Sequence, residues 1–193
     1  YQSGAPDAVG SFLTGREGAI DLPRAKSGGF GGGFFAVYVP SPSDLDAKIE
    51  EMTQASYDLP LPEPIDWTRA LPVAMSMAGI LFELEVRGAL KICRSVSDIR
   101  AALANGIIAA IFHIEGAEAI DPDLRGLEVL YNAGLRSLGP VWSRPTIFGH
   151  GVPFRYPSDG DIGDGLTDLG VRLIKRCDDL GIMVDLSHLN EAG

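Results

Sequence analysis

Ile107-Ile108-Ala109-Ala110-Ile111-Phe112-His113-Ile114-Glu115-Gly116 is the stretch on which the fold turns. From Ile107 to Ile114 it is an almost unbroken apolar run, far short of the ~20 residues that cross a membrane. Apolar residues without alternation mark a strand covered on both faces, as in a parallel sheet. On its N-terminal side, Val96, Ile99 and Leu103 recur at helical spacing and Gly106 stops that helix. On its C-terminal side, Leu124, Leu127, Leu130 and Tyr131 repeat the helical period as far as Gly134, and Leu135–Leu138 reads as a short strand. A further stripe (Leu166, Leu169, Leu173, Cys177, Leu180) ends at Gly181 before the strand-like Ile182–Leu186.

Toward the N-terminus, Leu90–Cys93 is a strand and Asp66 caps a long helix to Arg87, with Pro72 near its start or kinking it. The three prolines within Leu59–Pro64 make that segment a loop. Ser43 with Asp46 is a capping-box pair that opens a helix to about Tyr57. Phe34–Val39 is a strand ended by Pro40, and the glycine-rich residues 1–33 read as irregular. Gly31-Gly32-Gly33-Phe34-Phe35-Ala36 fits a loose G-x-G-x-x-A pattern, but these glycines precede a strand, whereas a dinucleotide fingerprint follows one and opens a helix. Strand–helix alternation with glycine stops predicts an α/β fold with a parallel sheet. Four or five such units, at ~30 residues each, fit either an open doubly wound sheet or part of a barrel. A complete (β/α)8 barrel takes about 250 residues, so this chain of 193 would hold only part of one.

The composition, 46% hydrophobic and 22% charged, is that of a globular domain. Net charge is −10, and the 16 basic residues are scattered, so nucleic acid is not an expected partner. Cys93 and Cys177 are far apart and form no metal motif, as expected of small buried hydrophobes in a reducing compartment. No signal peptide, lipid-anchor motif or membrane segment is visible. The expected location is cytoplasmic, with export left open because any residues before Tyr1 are out of view.

Two strands end in residues suited to metal chemistry: Ile111-Phe112-His113-Ile114-Glu115-Gly116 and Met183-Val184-Asp185-Leu186-Ser187-His188. In α/β barrels the site forms at the C-terminal strand ends. Carboxylate and imidazole are both zinc ligands, and one carboxylate can bridge two ions ~3.5–4 Å apart. Composition alone also admits plain solvated strand ends. His113 shares a strand face with Glu115, either as a second site residue or, as favoured here, a hydrogen-bonded core histidine. Asp185 faces away from His188 and reads as structural.

Four segments together resemble the membrane (renal) dipeptidase family of zinc metallopeptidases, in its bacterial form. They are Ile20-Asp21-Leu22-Pro23-Arg24 through Gly28-Gly29 to Phe34–Pro40; Ile114-Glu115-Gly116-Ala117-Glu118-Ala119-Ile120; Leu135-Arg136-Ser137-Leu138-Gly139-Pro140-Val141-Trp142; and Val184-Asp185-Leu186-Ser187-His188. The resemblance implies a (β/α)8 TIM barrel of the metal-dependent hydrolase type, with residues 1–193 a partial catalytic barrel domain holding about strands 2 to 5. It implies zinc-dependent hydrolysis of dipeptides at two zinc ions. Glu115 matches the family's bridging carboxylate and His188 a histidine on one ion. The family's opening His-x-Asp pair is absent from this chain. Its second zinc histidine, substrate-carboxylate arginine and late-barrel aspartate would lie beyond Gly193, so the chain alone is expected to be inactive. Trp142 stands where many members carry a substrate-contacting histidine. His150, in Gly149-His150-Gly151, is the candidate to serve instead, or else an ordinary loop histidine. Expected partners are a dipeptide substrate, no nucleic acid and no membrane, with a homodimer left open. The rival expectation is a non-catalytic α/β ligand-binding or structural domain without metal.

Overall fold

The computed structural model of this chain describes residues 7–41 and 45–193. In chain order the elements are α1 (Ala8–Thr14), α2 (Leu22–Ser27), β1 (Gly32–Tyr38), α3 (Leu45–Met52), β2 (Tyr57–Leu59), α4 (Trp67–Val86) and β3 (Leu90–Ile92). They continue with α5 (Val96–Ala104), β4 (Ile108–Glu115), α6 (Arg125–Ala133), β5 (Leu135–Gly139), β6 (Phe154–Tyr156), α7 (Asp168–Leu180) and β7 (Met183–Val184).

The apolar run at the centre of the sequence is β4, the strand around which the sheet is built. Along one edge β1 pairs with it in parallel from Gly32↔Ala109 to Tyr38↔Glu115. The other edge is shared: β3 takes Ile108–Ala110 and β5 takes Phe112–Glu115, both in parallel. Strand β7 pairs in parallel with β5. This is the parallel α/β sheet expected from the alternation of strand and helix. Helix α5 packs on β4, α6 on β5, α7 on β7, and α4 on both β1 and β3. Phe112, Ile114, Leu127, Leu135, Leu138 and Leu173 are at most 1% exposed, and each such side chain contributes roughly 1.5–3 kcal/mol by leaving water. Phe82 of α4 meets Phe112 of β4 edge-to-face at 5.9 Å.

Helix ends follow local chemistry. The Asp66 carboxylate accepts the Thr68 N–H, Ser95 Oγ that of Asp98, and Thr167 Oγ1 that of Gly170, each satisfying a donor that a helix start leaves free. Gly181 closes α7 at φ 69°, a left-handed conformation open to glycine without cost. Pro72 lies inside α4, which runs on to Val86.

Several elements differ from the sequence expectation. The segment read as irregular holds two short helices, because Asp7 and Asp21 cap α1 and α2 through the Gly10 and Arg24 N–H groups. The helix expected to reach Tyr57 ends at Met52, and Tyr57–Leu59 pairs antiparallel with Phe154–Tyr156 in a separate two-stranded ribbon. Ser43 of the capping box lies outside the described residues. Strand β7 holds only Met183–Val184, since Asp185 turns its carboxylate onto the Ser187 N–H at 3.0 Å and bends the chain away.

Among the described residues, the outer edges of β1 and β7 carry no ladder partner. Beside β1 an apolar cavity of about 330 Å³ opens between Phe12, Phe30, Phe34, Ile80 and Leu81. No described helix is long and apolar enough to cross a membrane.

Gly32 shows what the glycines before β1 do. A Cβ there would stand 2.3 Å from the Ala109 carbonyl oxygen, so the bare backbone permits the first rung of the β1–β4 ladder. Gly32→Val is therefore expected to cost about 2–3 kcal/mol, read as a lowered midpoint in urea unfolding. A midpoint unchanged from wild type would contradict this account of the ladder.

Candidate metal centre

Glu115 is the last residue of β4, level with Gly139 at the end of β5. His188 lies four residues beyond Val184, in the loop after β7 rather than at the strand end that the sequence suggested, and it holds a left-handed φ of 67°. The sheet nevertheless brings the two together: His188 Nε2 and Glu115 Oε1 are 3.3 Å apart, with side chains 29% and 30% exposed. On the far side of the ring, Nδ1 meets Ser143 Oγ at 3.1 Å. When Nδ1–H is donated to Ser143, Nε2 keeps its lone pair toward Glu115, the orientation a metal-binding imidazole needs. Two donors each ~2.0–2.1 Å from a tetrahedral ion would lie about 3.3 Å apart, so the spacing of this pair suits a shared cation.

Trp142 forms one wall, its ring 5.8 Å from that of His188 and 5.7 Å from that of Phe154. Gly151 packs against this corner so closely that a Cβ would stand 2.6 Å from Ser143 Cα and 2.8 Å from the His188 carbonyl oxygen. The Val152 N–H donates to that same carbonyl at 2.8 Å. His150 is exposed and lines a separate cavity of about 470 Å³ with Arg155, Asp161 and Asp164. The cavity's lining includes neither Glu115 nor His188.

One layer below, His113 is buried, with Nδ1 2.9 Å from Ser137 Oγ and Nε2 3.5 Å from Asp185. Burial pushes its pKa below the usual histidine value, against the pull of Asp185 and Glu115. These contacts match the reading of a hydrogen-bonded core histidine, and they give Asp185 a structural partner.

The family model of membrane dipeptidase, peptidase family M19, matches residues 10–193. The chain belongs to the membrane dipeptidase family. A metallo peptidase from Rhodobacter sphaeroides, solved with a phosphinate mimic of the dipeptide L-Ala-D-Ala, is 52% identical with a TM-score of 0.92, over 97% of this chain and 55% of that one. In sequence, the "Uncharacterized protein in PQQ-III 3'region" of Acinetobacter calcoaceticus is 37% identical over 99% of this chain and 60% of its own length. "Dipeptidase verJ" of Clonostachys rogersoniana is 28% identical over 89% of this chain and 41% of its own. The chain thus spans about half the length of the relatives it matches.

Membership of a metallopeptidase family implies a metal cofactor. Glu115 and His188 suit one by donor chemistry and spacing, yet no group of three or more His, Cys, Asp or Glu side chains able to hold a metal occurs among the described residues. Two residues beside this candidate centre escaped the sequence reading. Ser143 carries no motif, and its contact with His188 Nδ1, across 45 positions, is visible only in the fold. Glu118 did carry a signal: an acid in the apolar run Ala117–Ile120 needs a buried partner, which is Arg144 at 2.7 Å.

His113 gives the chain a pH dependence. Its native pKa lies below the ordinary value of 6.5, so the unfolded state binds the proton more readily. The stability contribution is complete above about pH 6.5 and is lost as pH falls toward the lowered native value. Unfolding midpoints measured from pH 8 to 5.5 are expected to fall in wild type and to fall less steeply in His113→Gln. Parallel profiles would contradict a neutral, buried His113.

Proposed function

We propose that the full-length protein is a zinc-dependent dipeptidase whose centre is built partly from this chain. The observation that carries the reading is the facing pair of Glu115 Oε1 and His188 Nε2 at 3.3 Å, at the C-terminal end of a parallel sheet. On this reading Glu115 is the carboxylate shared by two zinc ions, His188 binds one of them, and the remaining ligands come from outside the 193 residues. Residues 1–193 then form one partial catalytic barrel domain. The ions would supply Lewis acidity toward the scissile carbonyl and acidify the attacking water.

The chain's own residues set the stage for that chemistry. Glu115 would hold the cations by its negative charge. Ser143 holds the His188 ring in one orientation through its contact with Nδ1. Trp142 walls the rim with apolar surface, which limits water and strengthens electrostatic interactions inside. His150 remains the candidate substrate contact from the glycine-flanked loop, although the lining of its cavity includes neither Glu115 nor His188. The solved relative holds a mimic of L-Ala-D-Ala, so dipeptides with small side chains are the first substrates to try. Free, buried Cys93 and Cys177 support a reducing, cytoplasmic setting. A homodimer is the assembly to look for, by analytical ultracentrifugation.

In the full-length protein, Glu115→Gln is expected to lower bound zinc and to reduce dipeptide kcat/KM by about 10²-fold or more. His188→Ala should lose metal while keeping a cooperative unfolding transition, because the side chain is a partly exposed loop residue and not core volume. Zinc analysis and a dipeptide assay check both; two zinc ions per chain with near-normal turnover in either variant would remove that residue from the centre.

The 193-residue chain expressed alone is expected to self-associate and to show no dipeptide cleavage with added zinc. Open ladders at β1 and β7 are templates for pairing, and a stable zinc site takes three or four ligands. Size-exclusion chromatography and the same assay decide it: a monodisperse, active monomer would refute the expectation.

A further inference from the structure

Arg144 and Glu118 are charged, yet their side chains are 1% and 0% exposed. The guanidinium is held on three sides. Its Nε and Nη2 both donate to Glu118 Oε1, at 3.0 and 2.7 Å. Nη2 also donates to the Val39 carbonyl and Nη1 to Ser41 Oγ, each at 2.7 Å. One side chain thereby joins the chain leaving β1, the turn leaving β4 and the loop leaving β5. The second carboxylate oxygen, Glu118 Oε2, is buried without a hydrogen-bond partner. It lies against Gly116, where an added Cβ would stand 2.4 Å from it. A buried ion pair adds little net stability over apolar residues of the same size, and this one leaves an oxygen unsatisfied, so stability does not account for it.

Its neighbours do. Glu118 is three residues after Glu115, across Gly116 at φ 88°, and it packs into the turn that carries the Glu115 carboxylate. Arg144 follows directly on Ser143, which holds His188 Nδ1, and Trp142, which lies against the His188 ring. The turn that carries Glu115 and the loop that contacts His188 therefore meet at the same ion pair. We propose that the Glu118–Arg144 pair is the positioning element of the metal centre, fixing the 115–118 turn against the 142–144 loop so that Glu115 Oε1 and His188 Nε2 face one another. Neither residue is assigned as a ligand; each acts through the segment that carries or contacts one. The proposal rests on the reading of Glu115 and His188 as ligands.

The test uses the full-length protein and the double variant Glu118→Gln/Arg144→Met, which replaces the pair by neutral side chains of similar length. Three readouts are compared with wild type: thermal unfolding of the metal-free protein, zinc affinity by chelator competition, and the visible absorption of the cobalt(II)-loaded protein. The expected result is a metal-free protein that still unfolds cooperatively, at a midpoint lowered by the orphaned Val39 carbonyl and the amide introduced at position 118, with zinc affinity lowered about 10–100-fold and an altered cobalt spectrum. Wild-type affinity together with a wild-type cobalt spectrum would overturn the proposal and leave the pair a fold element. Should the double variant fail to fold, Arg144→Lys decides by the same criteria, since it keeps the charge but not the three-sided fork. A wild-type protein that binds no zinc and cleaves no dipeptide would overturn the dipeptidase reading and this proposal together. That result is distinct from an active wild type with unaffected variants, which overturns this proposal alone.

Discussion

The hydrogen-bond ladder along β4 is the constraint on which the rest of the molecule depends. Its eight residues are held by β1 on one edge and by β3 and β5 in succession on the other. β1, β4 and β5 end in register, with Tyr38 and Gly139 level with Glu115, while β3 stops lower, at Ile92 beside Ala110, and what leaves the three level ends converges there. Glu115, Glu118, the Val39–Ser41 segment and the Trp142-Ser143-Arg144 loop all emerge from this rim. A parallel ladder also requires a long return for every strand, and the helices making those returns cover the outer face with the apolar stripes seen in α5, α6 and α7.

Charge is arranged in depth beneath that rim. Glu115 and His188 are partly exposed, so both can exchange water for another ligand. His113 and Asp185 lie deeper, with Ser137 closing the contact. Glu118 and Arg144 are buried outright. Burial pushes the Glu118 carboxyl above the usual range and Arg144 pulls against it, so the pair is a balance between desolvation and attraction rather than a surplus of either. Polar groups placed this way are costly when half-satisfied, and here they sit next to the candidate centre, where rigidity of geometry has a use.

Among the described residues, the flanks of the sheet are open and the candidate centre has two candidate ligands. A strand gains edge partners and a metal gains ligands from segments far apart in sequence, and this chain spans about half the length of its relatives. The exposed Phe34 and the apolar cavity lie beside β1, whose outer edge has no ladder partner among the described residues.

The local signals were legible from the residues alone. Apolar runs and helical stripes located β3, β4, β5, α5, α6 and α7, because burial of a strand or a helix face is imposed by periodicity over a few residues. Glycine stops and the Asp66 cap bounded helices, since each satisfies backbone groups within one turn, whereas the Ser95 and Thr167 caps emerged only in the structure. Motif resemblance singled out Glu115 and His188. The tertiary structure decided what periodicity does not encode: the antiparallel pairing of Tyr57–Leu59 with Phe154–Tyr156, the shared edge of β4, and the position of His188 in a loop rather than on a strand. It also joined Ser143 to His188 across 45 positions, and Arg144 to Glu118 across 26 and to Val39 across 105. Those contacts depend on two segments arriving at one point from different strands, and the energy of such a meeting resides in neither segment taken separately.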